Sequence, residues 1–237
     1  MAKQLSEIDK MKNEFISTIS HEIRTPLTAI RGWGETLKTT SKGDEITSKG
    51  IDIILEETIR LSSMVEELLD FSRIQNDNIR LITRDVNLRD ILGQVYLIYK
   101  NKADAENKSL CFDDSNSDVI LNIDSDRIRQ VFINILDNAL KYTSSGGEIK
   151  IFVERNEKCV TIGIIDNGCG IRESDLIHVK EKFFKANNTV KGTGIGLAVS
   201  DEIIRRHGGE INIKSEFEKG TLVKVVLPLR EKGDRNE

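Results

Sequence analysis

The hydrophobic period of this chain changes near residue 76, and that change constrains the fold more than any other feature. Before it, apolar residues recur at three- and four-residue steps. Ile16, Ile19, Ile23, Leu27, Ile30 and Leu37 make one stripe. Ile51, Ile54, Thr58, Leu61, Val65, Leu68 and Ser72 make another at heptad a/d spacing, reinforced by Leu55, Met64, Leu69 and Phe71. The turn-forming run at 39–44 separates the two. This pattern predicts a helical hairpin over residues 1–76. One hairpin buries its apolar stripe on one side only, so two hairpins closing into a four-helix bundle, a homodimer, is the expected state. Upstream, Ile8, Met11, Phe15 and Ile19 drift from strict heptad spacing in the manner of a stutter.

Gln75-Asn76-Asp77-Asn78 reads as a linker, and residues 77–237 as a second domain of mixed pattern. Asn87 is placed to cap a helix from Leu88 to about Glu106, with Asp90 favourable in its first turn. Short strands follow around Leu110 and near residues 119–121. Asp124 or Ser125 starts a helix to about Tyr142. Residues 148–154 and 158–166 alternate like antiparallel strands. A helix from about Thr193 to His207 stops at Gly208-Gly209, and segments 210–215 and 221–227 complete the sheet. The expected class is α+β: the helical hairpin, then an α/β sandwich with helices on one face of a mostly antiparallel sheet.

Charge and cysteine usage narrow the function. Thirty-five Lys and Arg stand against 39 Asp and Glu, a net charge of −4. A nucleic-acid binder needs a concentrated basic face, so none is expected. No apolar run approaches the ~18 residues that span a bilayer, and no signal-peptide pattern is present. Any membrane attachment is expected to come through a segment this chain lacks. Cys111, Cys159 and Cys169 are an odd, scattered set, which fits a reducing, cytoplasmic compartment. His21, His178 and His207 lie too far apart to suggest zinc.

Four short motifs carry the chemistry. His21-Glu22-Ile23-Arg24-Thr25-Pro26 puts an imidazole beside a carboxylate, with a hydroxyl one helical turn on. At about 100° per residue, His21 and Thr25 fall nearly opposite the apolar stripe, and Pro26 removes a backbone donor just beyond. Taken alone, such a histidine is usually just a solvated surface residue. Asn134 and Asn138, at i and i+4, present carbonyl oxygens to one point, as a hard cation requires, with Lys141 adding positive charge nearby. The same pair also fits a solvated helix edge. Asp166-Asn167-Gly168-Cys169-Gly170 follows an apolar strand. A carboxylate there accepts the exocyclic amino proton of adenine, glycines at 168 and 170 admit close backbone approach, and Tyr142 is available to flank the base. An ordinary Asx turn is the competing account. Gly192-Thr193-Gly194-Ile195-Gly196-Leu197 precedes a helix, where glycine turns aim N–H groups at phosphate.

Together these motifs resemble the H, N, G1 and G2 boxes of bacterial sensor histidine kinases, in order and spacing, over nearly the whole chain. The resemblance implies a dimerisation and phosphotransfer hairpin followed by a Bergerat-type ATP-binding domain. It implies that His21 is the phosphoacceptor and that Glu22 orients or deprotonates its imidazole. Thr25 matches the position that places water when such kinases dephosphorylate their response regulator. Asn134 and Asn138 would hold Mg²⁺ and Asp166 would read adenine of ATP. Lys185, after Phe183-Phe184, resembles the phosphate-reaching residue near the family's F box, and Lys180 departs from that box, which often has an aromatic there.

The expected reaction is attack of the His21 imidazole on the γ-phosphorus of Mg-ATP, then transfer to an aspartate of a separate receiver protein. Chaperone and mismatch-repair ATPases share the second fold but place a glutamate where Asn134 stands. An asparagine is no general base, which favours transfer over hydrolysis. A Bergerat-fold hydrolase and a silent nucleotide-binding dimeric scaffold are the alternatives.

Overall fold

The computed structural model describes residues 23–37, 45–75, 80–182, 184–186 and 193–229. His21, Glu22, Phe183 and Gly192, the turn at 39–44 and most of the 75–78 linker lie outside them. The chain divides into two compact units, one of Met1–Asn76 with Asn187–Ile195 and one of Asp77–Ala186 with Gly196–Glu237.

In the first unit, residues 23–37 form α1 and Glu45–Gln75 form α2. Gly50 is buried where the two meet. A methyl group there would lie 2.7 Å from Trp33 Cε3 and 3.3 Å from a Leu37 methyl, so only glycine admits this approach. Thr28, Thr36 and Thr58 turn their hydroxyls back onto carbonyls four residues earlier, which is how they sit inside a helix. Met64 is buried, but several residues of the expected stripes are not. Leu27 is 51% exposed and Pro26 is buried instead. Ile51 and Val65 are also exposed, together with Leu55, Ile59 and Leu69. One hairpin has too little surface to cover both apolar faces.

The second unit holds strands β1 (Arg84–Asn87), β2 (Ser109–Asp113), β3 (Ile120–Ile123), β4 (Glu148–Arg155), β5 (Cys159–Asp166), β6 (Glu210–Glu216) and β7 (Gly220–Pro228). Its helices are α3 (Leu88–Ala105), α4 (Ser125–Tyr142), the single turn α5 (Glu173–Leu176) and α6 (Gly196–Arg206). Five strands form the main sheet in the order β2-β4-β5-β7-β6. Only β2 and β4 run parallel. Ile149, Ile151 and Val153 of β4, Val160, Ile162 and Ile164 of β5, and Val225 and Leu227 of β7 are all buried at alternate positions. The buried stripes of α3, α4 and α6 complete this core, with Phe132 fully enclosed. Truncating Phe132 to alanine would cost about 3–5 kcal/mol.

Local chemistry explains the helix starts. Asn87 accepts from Arg89 N at 3.0 Å to cap α3, and Asp124 accepts from Arg127 N at 3.2 Å to cap α4. Two expectations need correction, and two elements, β1 and α5, were not expected. The strand near 119–121 is β3, and it joins the unexpected β1 in a separate two-stranded sheet rather than the main one. The turn α5 carried no helical period to read. The last helix begins at Gly196, not near Thr193, because Gly194 takes a left-handed φ of 72° that no helix interior accepts.

Candidate functional site

β5 is the middle strand of the main sheet, and Asp166 is its last residue, paired in register with Ile149 on one side and Thr221 on the other. A carboxylate is thus delivered to the sheet's centre, where it is only 9% exposed. Burial pushes its pKa up from the ordinary Asp value, opposed by backbone N–H donation from Gly168 and Thr221. Gly168 N donates to Asp166 Oδ1 at 2.9 Å, so the Asx turn weighed above is present. It does not compete with a recognition role: the turn fixes the carboxylate's orientation, and the Gly168 N–H opposes the effect of burial on its pKa. Asn167 turns the other way and accepts from Glu148 N at 2.7 Å.

The end of α4 closes against this turn. Cys169 N donates to the Tyr142 carbonyl at 3.1 Å. A methyl group at Gly168 would lie 2.4 Å from that carbonyl oxygen, and one at Gly170, whose φ is 63°, would lie 2.0 Å from Glu216 O. Both glycines are therefore required by close approach of the protein's own backbone. Tyr142 is half-buried, its phenol pushed up by burial, with Lys141 Nζ 5.6 Å from the ring centre.

The middle of α4 meets the start of α6. Asn134 Nδ2 donates to Gly196 O at 3.2 Å and contacts Ser200 Oγ at 3.3 Å. Since a carbonyl only accepts, this contact fixes which end of the amide meets Gly196 O. Asn138 stands one turn along, also half-buried. Two neutral amide oxygens suit a hard cation whose charge phosphates balance. Among the described residues no group of three or more His, Cys, Asp or Glu is placed to hold a metal by itself.

The structure therefore brings Asn134, Asn138 and Tyr142 onto one helix, with Gly196 against its middle and Gly168 against its end. Leu197 follows Gly196 in the first turn of α6, half-buried. Gly194 supplies the left-handed turn that precedes it. Lys185 is half-buried and Lys141 exposed. Thr25 is exposed on α1, as read from the helix period, while His21, Glu22 and Gly192 lie outside the described residues. Lys180 pairs with Asp201 of α6 at 2.7 Å and donates to Ile211 O, so an ion pair ties this segment down where an aromatic was expected. Ser200, which fixes the Asn134 amide, was missed. Its position four residues after Gly196 on the helix was the one available signal.

Comparison with known proteins follows the same division. Residues 11–77 match the model of the His Kinase A (phospho-acceptor) domain. Residues 123–231 match that of the histidine kinase-, DNA gyrase B- and HSP90-like ATPase. The chain is 34% identical over 227 residues to sensor protein SrrB of Staphylococcus aureus, covering 93% of this chain and 39% of SrrB. It thus spans about two fifths of the length of the curated relatives it matches. Among solved structures, the catalytic domain of the histidine kinase ThkA is 31% identical with a TM-score of 0.56, covering 62% of this chain and 97% of that one. ThkA in complex with the response regulator protein TrrA is 29% identical with a TM-score of 0.68, covering 96% of this chain and 63% of that one. The Acinetobacter baumannii histidine kinase AdeS is 26% identical with a TM-score of 0.67, covering 89% and 98%.

Proposed function

Since the chain belongs to the sensor histidine kinases, we propose that it phosphorylates its own His21 from Mg-ATP and passes the phosphoryl group to an aspartate of a response regulator. The observation that carries the nucleotide half of this reading is the buried Asp166 carboxylate, held by Gly168 N at the end of a central strand. Buried carboxylates are costly, and among the described residues no cationic side chain is seen to pair with this one. An adenine amino group is a matching donor. Gly168 and Gly170 let this turn pack against the Tyr142 and Glu216 carbonyls, and Tyr142 is proposed to flank the base. Gly192, Gly194, Gly196 and Leu197 are proposed to offer backbone N–H groups to phosphate, with Lys141 and Lys185 proposed to supply positive charge.

Asn134 and Asn138 are the proposed Mg²⁺ ligands. Bound there, the ion neutralises the phosphate charge that builds up during transfer. The protein's own part is positional. Asn134 is pre-oriented by Gly196 and Ser200, so its oxygen needs no reorganisation. His21 is the proposed nucleophile: its nitrogen bonds to the γ-phosphorus as the bond to the β–γ bridging oxygen breaks, and ADP leaves. Glu22 takes the imidazole proton. Thr25 is proposed to place water for dephosphorylation of the regulator. A homodimer through the hairpin is proposed from the exposed apolar residues of α2.

Incubation with γ-labelled ATP tests the reading. Wild type is expected to carry acid-labile, base-stable label. His21→Ala is expected to carry none while retaining nucleotide binding. Steady phosphate release without labelled protein would point to the hydrolase alternative.

A further inference from the structure

Three segments of the second unit meet at Asp124. Its Oδ1 accepts from Arg127 N at 3.2 Å, capping α4, and its Oδ2 accepts from Ile82 N at 2.9 Å, holding the stretch that leads into β1. Its own backbone N–H donates to His207 Nε2 at 3.0 Å. His207 Nδ1 stands 2.8 Å from Ile203 O, so Nδ1 carries the proton and Nε2 is the acceptor. Arg84 adds a second fastening, donating to Ser125 Oγ at 2.9 Å.

α4 and α6 are consequently tied at two levels. One tie is Asn134 to Gly196 and Ser200, at the proposed metal site. The other is Asp124 to His207. Ten residues of α4 and eleven of the α6 segment separate the ties. At 1.5 Å per residue these are roughly 15 and 16 Å, so the two antiparallel helices form matched rails with a rung at each end. A shift imposed at the Asp124 end reaches Asn134 without being absorbed, because a helix resists axial strain. Packing does little to hold 81–83 in place. Ile82 is 81% exposed, and a cleft of about 240 Å³ opens beside the junction between Leu81, Thr83, Asn122, Arg206, His207 and Leu229.

We propose that Asp124 and His207 are positioning residues, a junction that couples the stretch at Ile82 leading into β1 to the placement of Asn134 and Asn138 and so sets the magnesium-dependent part of nucleotide affinity. This rests on the reading of Asn134 and Asn138 as metal ligands.

Ile82→Pro deletes the N–H that Asp124 Oδ2 accepts while leaving the α4 cap intact, and Ile82→Ala controls for the side chain. The measurement is ADP affinity of the full chain with magnesium and with EDTA. In wild type, magnesium is expected to tighten binding. In Ile82→Pro that gain is expected to shrink about fivefold or more, with affinity in EDTA and Ile82→Ala both unchanged. A second pair works without proline. His207→Asn loses the acceptor at the Nε2 position and is expected to behave as Ile82→Pro does, whereas His207→Gln, whose Oε1 reaches that position, is expected to restore the gain. An equal fall with and without magnesium, or no difference between the Asn and Gln variants, overturns the junction and leaves the metal site standing. A wild type that gains nothing from magnesium overturns the metal assignment and the junction with it.

Discussion

Asp166 is a residue whose own stability the fold has sacrificed. Burial raises its pKa above the unfolded value. The folded state therefore holds the proton more tightly than the unfolded one. The resulting stabilisation is full below the ordinary Asp value of about 3.9 and is lost as pH rises through the folded pKa. At neutral pH the group is a net cost retained for its acceptor. Asp166→Asn keeps an oxygen for Gly168 N and removes the buried charge. It is expected to melt no lower than wild type at pH 7.5, with the difference between the two narrowing on acidification. The same substitution turns an amide N–H toward the adenine amino group, two donors face to face. Adenosine affinity is expected to fall by roughly 10- to 100-fold, and wild-type affinity to weaken as pH falls through the raised pKa. Adenosine has no phosphate to titrate over that range. Ligand-observed NMR over a descending pH series beside a thermal melt decides it, and a variant that melts well below wild type yet still binds would refute the account.

At the level of elements, the turn after β5 depends on glycine for two separable reasons. Gly170 combines a φ of 63° with a carbonyl 2.0 Å from any added Cβ, while Gly146, at φ 81°, has nothing within 4 Å. Gly146→Ala should thus cost only the left-handed conformation, on the order of 1 kcal/mol. Gly170→Ala should add displacement of the Glu216 backbone, ~1–3 kcal/mol beyond that, a further several degrees in melting temperature and a matching loss of nucleotide binding. Equal melts for the two variants would show that the close approach does not matter. Such contacts mark the boundary of what the sequence reveals. α4 was legible to its cap, because the Asp124 cap and the stripe from Ile128 to Leu140 are local signals. The Asx turn at Asp166 and the helix that carries Asn134 and Asn138 were legible for the same reason. β1 was not: Arg84–Asn87 offers one apolar residue, Val86, and exists because Ile120–Ile123 pairs with it. Ser200 at Asn134 and His207 at Asp124 join residues 66 and 83 positions apart, which no period or propensity reports.

On the scale of the whole molecule, α2 leaves an apolar stripe uncovered along its length. Ile51, Leu55, Ile59, Val65 and Leu69 fall within one third of the helix circumference, well away from buried Met64. A face of this kind is seldom left to water, and its heptad-like spacing suits a second copy of the same hairpin. Leu55 and Ile59 are 55% and 70% exposed, so replacing both with glutamate removes little packing within the chain. In a symmetric bundle it would bring four carboxylates into an apolar seam, each strongly disfavoured without a partner. The double variant is expected to sediment as a monomer at concentrations where wild type is a dimer. Its nucleotide affinity should be unchanged, because Asn134, Asn138 and Asp166 belong to the other unit. Its hairpin should retain helical circular dichroism, though with a lower melting temperature, since the monomer loses the stabilisation that association supplies. Sedimentation velocity across a concentration series gives the answer. A double variant as dimeric as wild type would mean that this stripe is not the face through which two chains meet.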